Sequence, residues 1–172
     1  MNWIIMPQIE RTVEIDAPLE RVFAFVTDIR NHNRVVPPQT QEQLLGAGEI
    51  PLRLDTVVRL RARYGGIRWT LASRITAFDP PGPLHPDSAY FRDEQVHGPF
   101  AERRHDHWFA STPTGATRLT DRFTYAAPLG PLGRLVERLW LDERMRQLLE
   151  YMQATEKRLL ETEILKAAGA KK

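Results

Sequence analysis

The sequence contains no cysteine, so disulfides, thiolate nucleophiles and thiolate metal ligands are excluded. It has no long apolar run either. Nothing approaches the roughly 18 consecutive apolar residues of a membrane span. The opening MNWIIMP is apolar but short and has no basic flank, so it does not read as a signal peptide. An excess of one charge is also missing, because 24 Lys+Arg against 22 Asp+Glu leave +2. The pI near 9.1 then reflects a flat titration curve, and no nucleic-acid partner is expected. There is no G-x-G-x-x-G or Walker loop, so no nucleotide cofactor is expected, and no G-x-S-x-G elbow. These absences leave a cytoplasmic protein without stable membrane insertion as the expectation.

What is present suits one globular unit. The 172 residues are 42% hydrophobic and 27% charged, enough for a real core. We expect a single domain over 1–172, with its core at about 8–165 and a frayed tail at 166–172.

The longest patterned stretch is LGRLVERLWLDERMRQLLEYMQATEKRLLETEIL, residues 132–165. Apolar residues recur, mostly in steps of three and four, at Leu135, Val136, Leu139, Trp140, Met145, Leu148, Leu149, Met152, Leu159 and Leu160. Arg, Glu and Gln are assigned to the opposite, solvated side. Roughly 34 residues of helix span about 50 Å. A helix that long and one-sided needs a broad apolar partner.

The rest of the chain supplies strands. Gln8–Asp16 alternates as a half-buried strand. Asp16-Ala17-Pro18 then opens a helix, with Asp16 near the cap and Leu19, Val22, Phe23, Val26 and Ile29 as its stripe. A second short helix follows and ends at Pro37-Pro38. Gln41–Leu45 reads as a short strand, with Gly46 and Gly48 as a turn. Leu54–Tyr64 and Ile67–Phe78 form a hairpin turned at Gly65-Gly66. The row Arg59, Arg61, Arg63 marks its solvated face. Asp79–Asp87 holds four prolines and a glycine and reads as a rigid loop. Strands follow at Ser88–Val96, Phe100–Ser111 and Ala116–Ala126. The class is α+β: a curved antiparallel sheet of about seven strands around the long C-terminal helix, with two short helices after the first strand.

One anomaly points to a site. If Phe91, Phe109, Phe123 and Tyr125 face inward, strand alternation brings Asp93, Gln95, His105, His107 and Asp121 inward with them. Polar groups on an inner face must be paired or must meet water or ligand. Four readings are open: a satisfied network, the polar end of a ligand pocket, an acid/base pair, or a metal site of His-x-His type with a nearby Asp. A register shift of one residue would instead turn Trp108 inward. His32, His85 and His97 read as isolated loop histidines.

Three stretches resemble the START-like or SRPBCC (helix-grip) superfamily. These are VEIDAPLERVFAFVTD, with Ala17-Pro18, Val22-Phe23 and Asp28, then FRDEQVHGPFAERRHDHWF, then TRLTDRFTYAAPLGPLGRLVERLWL. The second is similar to a bacterial subgroup pattern, D-x-Q-x-x-G-P-F followed by H-x-H-x-F. It departs from that pattern at Arg103, where a Trp is expected. The resemblance covers about residues 8–162. It implies a cavity between sheet and long helix that takes a hydrophobic ligand, and it is not built around a metal or other cofactor.

A small hydrophobic molecule such as a lipid, isoprenoid, quinone or polyketide-like aromatic is therefore the expected partner. Its apolar body would meet Trp69, Phe91, Phe109 and Tyr125 under Leu135 and Leu139. Its polar end would meet Asp93, Gln95, His105, His107 or Asp121. The mouth is expected near Val35–Pro37, the Asp79–Asp87 loop and Leu129–Leu132. The alternatives are a cyclase, dehydratase or hydrolase using His105, His107 and Asp121, and a ligand-free interaction module. No catalytic residue is assigned.

Overall fold

The computed structural model describes residues 6–64, 67–128, 130, 133 and 140–169. The first strand, β1, spans Gln8–Ile15, and helix α1 follows at Leu19–Thr27. A 3-10 turn at Ile29–Asn31 leads into the short α2 at His32–Val35. Six strands come next: β2 Gln43–Ala47, β3 Val57–Tyr64, β4 Ile67–Asp79, β5 Ser88–His97, β6 Glu102–Ser111 and β7 Thr117–Ala126. The last helix, α3, spans Asp142–Gly169.

The strands form one antiparallel sheet in the order β1-β7-β6-β5-β4-β3-β2. β1 and β2 therefore lie on opposite edges, and the helical stretch between them must cross the sheet. α1 crosses on the concave side and buries Leu19, Val22, Phe23 and Phe25 there. Phe23 sets its ring 5.3 Å from Phe109, 5.5 Å from Phe78 and 6.3 Å from Phe91. Tilted and edge-on rings at such spacings are favourable beyond their burial. This is the α+β helix-grip fold.

α3 runs along β1, whose outer edge has no strand neighbour. Gln153 and Lys157 donate to the edge carbonyls of Arg11 and Glu14 at 3.1 and 2.6 Å. Arg11 pairs with Glu150 at 3.1 Å, and the amide of Asp16 donates to Glu161 at 3.0 Å. The helix thus satisfies an edge that would otherwise invite another strand. None of the helices among the described residues is long and apolar enough to cross a membrane.

Several local expectations change. The N-cap of α1 is Pro18, with no side-chain cap, and Asp16 is engaged by α3 instead. β2 begins two residues later than expected and includes Gly46, where a bulge between Leu44 and Gly46 shifts the register against β3. α3 is described from Asp142, and the expected hairpin turn Gly65-Gly66 and Leu135 and Leu139 lie outside the described residues. Gln153 and Glu156 are buried, not solvated. They continue the three-and-four spacing of Met145, Leu149 and Met152 towards Leu160, so the inner stripe of the helix is polar in its middle.

Candidate functional site

The strand register settles which side chains face the helix. Across β5 and β6, Phe91 pairs with His107 and Asp93 with His105. Across β6 and β7, His107 pairs with Asp121 and His105 with Phe123. Alternation then carries Asp93, Arg103, His105, His107 and Asp121 onto one concave surface. Trp108 points the other way, stacked on Tyr90 and covered by Arg122.

The two histidines stand side by side, ring centroids 3.9 Å apart, between two carboxylates. On one side both meet the same oxygen of Asp121. His107 Nδ1 lies 2.6 Å from Asp121 Oδ1, and His105 Nε2 lies 3.3 Å from it. That oxygen is off the line of either N–H, so charge rather than a directed hydrogen bond holds the contact. On the other side both face Asp93 Oδ2, His107 Nε2 at 3.6 Å and His105 Nδ1 at 3.9 Å. Each carboxylate is fixed from behind. Gln153 donates to Asp121 Oδ2 at 2.6 Å. Arg103 donates to Asp93 Oδ1 and also to Ser73 Oγ, the latter at 2.5 Å.

Burial and neighbouring charge act against each other here. Burial pushes the Asp93 carboxyl up, but the charge of Arg103 and contact with the histidines hold it far below the usual range. Asp121 is likewise depressed, because His107 outweighs its burial. Burial alone would make His107 less basic, yet Asp121 and Asp93 raise it to about 9. His105 goes down, from burial and from the neighbouring charge of His107. The two carboxylates thus favour a proton on His107, while burial and the neighbouring His107 disfavour one on His105. Glu156, facing the cluster from α3, is raised to about 8 by burial and by the charge of Asp121.

This cluster forms the polar wall of a cavity of about 1130 Å³ between the sheet and α3. Of the expected ligand-binding residues, Trp69, Phe91, Asp93, His105 and His107 line it. Four other expected residues serve elsewhere. Phe109 is buried behind Phe91 against Phe23. Tyr125 is fully buried and donates its hydroxyl to Asp142 at the start of α3. Asp121 stands behind the histidines. Gln95 turns to its own hairpin, where its amide bonds both backbone groups of Phe100 at 2.8 and 3.4 Å.

That last contact explains the D-x-Q-x-x-G-P-F signature. A Cβ on Gly98 would stand 2.3 Å from Gln95 Oε1 and 2.7 Å from Leu71 Cδ1, so only glycine lets Gln95 fold over the turn. Arg103 replaces the expected Trp with a buried cation that bridges Ser73 and Asp93. Glu156, Ser73 and His32 also line the cavity and were not singled out as lining residues from sequence. His32 pairs with Glu42 instead of lying exposed. The spacing from Met145 to Leu160 was the available signal for Glu156; His32 had none. The Asp79–Asp87 loop lies at the far end of β4 and contributes none of the lining.

A family described as polyketide cyclase / dehydrase and lipid transport matches residues 6–159. No curated protein matches the chain. Among solved structures, a Thermus thermophilus protein is similar at 16% identity and TM-score 0.69, over 91% of this chain and 98% of that one. Norcoclaurine synthase from Thalictrum, as a point mutant with a transition-state analogue, is 11% identical with TM-score 0.66, over 92% and 96%. The Zhui aromatase/cyclase from Streptomyces sp. R1128 is 17% identical with TM-score 0.60, over 90% and 96%. Likeness at these identities is a likeness of fold.

Proposed function

The chain belongs to the polyketide cyclase / dehydrase and lipid-transport family, and from that premise we propose that it binds one small, largely hydrophobic molecule between its sheet and α3. The observation that carries this is the cavity. Its roughly 1130 Å³ exceeds the roughly 300–1,000 Å³ of ordinary small-molecule pockets, and its wall is mostly aliphatic and aromatic, with one inner polar cluster at Asp93, Arg103, His105, His107 and Glu156. Trp69, Phe91, Val58 and Leu60 would meet the apolar body of a lipid, isoprenoid, quinone or polyketide-like aromatic. Asp93, His105, His107 and Glu156 would meet its polar end. A ligand-free interaction module would have a filled interior, and this interior is open.

Native mass spectrometry of purified protein, followed by extraction, tests the reading. A stoichiometric apolar mass is expected. Protein that stays free after challenge with lipid and aromatic libraries overturns it.

A second reading is favoured by one feature, two adjacent histidines pushed in opposite directions, His107 towards the charged form and His105 towards the neutral one, with Glu156 lining the same cavity. Such a set can give and take protons on a bound molecule, as a cyclase, dehydratase or hydrolase requires. His107→Ala separates the two readings: an enzyme loses turnover while keeping ligand affinity, and a carrier has no turnover to lose.

A further inference from the structure

We propose that Asp93, His105 and His107 form a binding site for one divalent first-row transition-metal ion at the polar end of the cavity. The spacing His-x-His alone does not carry this. The orientation of the rings does.

Each of the three residues offers a ligand atom, and these atoms all lie within 4.8 Å of one another. Two of the three edges are 3.6 and 3.9 Å. Metal–ligand bonds of about 2.0–2.2 Å in tetrahedral geometry require edges of about 3.3–3.6 Å. Side-chain shifts of a few tenths of an ångström close that difference on these edges.

The opposite nitrogens are already committed. His105 Nε2 and His107 Nδ1 both turn to Asp121 Oδ1 and have no other hydrogen-bond partner among the described residues. With a proton drawn to each of those nitrogens by the Asp121 charge, His105 Nδ1 keeps its lone pair towards Asp93 Oδ2, and His107 Nε2 gains one when a metal ion displaces the second proton that the carboxylates favour on His107. Two imidazole nitrogens and a carboxylate oxygen that converge in a buried place favour a cation between them, which is a proton in the metal-free protein and a metal ion when one displaces it. A carboxylate behind a ligating histidine is the usual means of fixing its tautomer and strengthening it as a donor. Here one carboxylate serves both rings, and Gln153 holds it in turn.

Asp93 is prepared in the same way. Arg103 occupies Oδ1, which leaves Oδ2 as a single-oxygen ligand. Two imidazoles and one carboxylate suit zinc, iron, cobalt or nickel better than magnesium or calcium. With three protein ligands at the edge of a cavity, further coordination positions face the bound molecule. The site goes beyond the hydrophobic-ligand reading and does not depend on it.

The test uses untagged full-length protein stripped with chelator and then dialysed free of it. Co(II) is titrated at neutral pH and followed by its visible absorption and by calorimetry. One equivalent is expected to bind at low micromolar protein, with absorption of the intensity typical of four- or five-coordinate Co(II). Asp93→Asn and His107→Gln should each weaken binding by at least about 100-fold. Asp121→Asn, which touches no metal, should weaken it by about 10- to 100-fold. His85→Ala and His97→Ala should change nothing. Circular dichroism confirms that each variant is folded, and wild-type absorption stands even if one is not. No binding to wild-type protein, or binding unchanged in both folded Asp93→Asn and His107→Gln, overturns the site. Displacement of an apolar dye is measured separately on the stripped protein, so failure of the metal site and failure of the ligand reading are told apart.

Discussion

Arg103 and Asp93 form a largely buried ion pair one strand apart, the arginine side chain on β6 7% exposed and the aspartate on β5 16% exposed. Removing one member of such a pair leaves an uncompensated buried charge, whereas removing both leaves none. Arg103→Met is expected to cost about 3–5 kcal/mol in denaturant unfolding at neutral pH. The double variant Arg103→Met/Asp93→Asn should recover a substantial part of that loss. A double variant no more stable than Arg103→Met would mean that the pair is not what holds Asp93 ionised.

Glu156 gives a pH dependence of definite sign. Its ordinary value is 4.5, and burial with the charge of Asp121 raises it to about 8 in the folded chain. The folded state therefore favours the protonated acid. That contribution is full below about 4.5 and is lost as pH rises through about 8. Chelator-treated wild-type protein should lose stability, on the order of a few kcal/mol, between weakly acidic and weakly alkaline pH. Glu156→Gln should remove this component and be the more stable protein at the alkaline end. Parallel unfolding curves at several pH values measure the difference directly.

Filling the cavity should separate binding from folding. Ala62 is buried on β3 and lines the space under α3. Ala62→Trp adds a large ring where there is room for it, so the overpacking cost of about 1–3 kcal/mol should be largely avoided. Affinity for an apolar fluorescent probe is expected to fall at least tenfold while the melting temperature moves little. Unchanged affinity would mean that the probe binds elsewhere.

The fold was legible because its signals are local and redundant. Strand alternation from Val57 to Tyr64 and from Thr117 to Ala126, and the three-and-four spacing of α3, each stand on many residues. The inner cluster was legible for the same reason, since a single aromatic frame fixed the parity of β5, β6 and β7. What failed was the step from facing inward to lining the cavity. Phe109 and Tyr125 face inward, but α1 covers one and Asp142 claims the hydroxyl of the other. Gln95 obeys the parity yet is taken by the Phe100 peptide, a contact within the turn that no periodicity announces. Gln153 and Glu156 were hidden by their polarity, because a helix face is ordinarily read from its apolar members alone.

On the proposed binding function, the hold of α3 on β1 also limits how a ligand could be exchanged. The bonds from Gln153 to the Arg11 carbonyl and from Lys157 to that of Glu14 fasten the middle of the helix to the sheet. Swinging this flank open would strand two carbonyls and the Asp121 carboxylate at once. A bound molecule would instead pass the other end, where Ile67 and Trp140 line the cavity and are 57% and 43% exposed. Loading and release by that route would be uncoupled from unfolding. The amide hydrogens in the middle of the helix should keep their protection while cargo turns over many times.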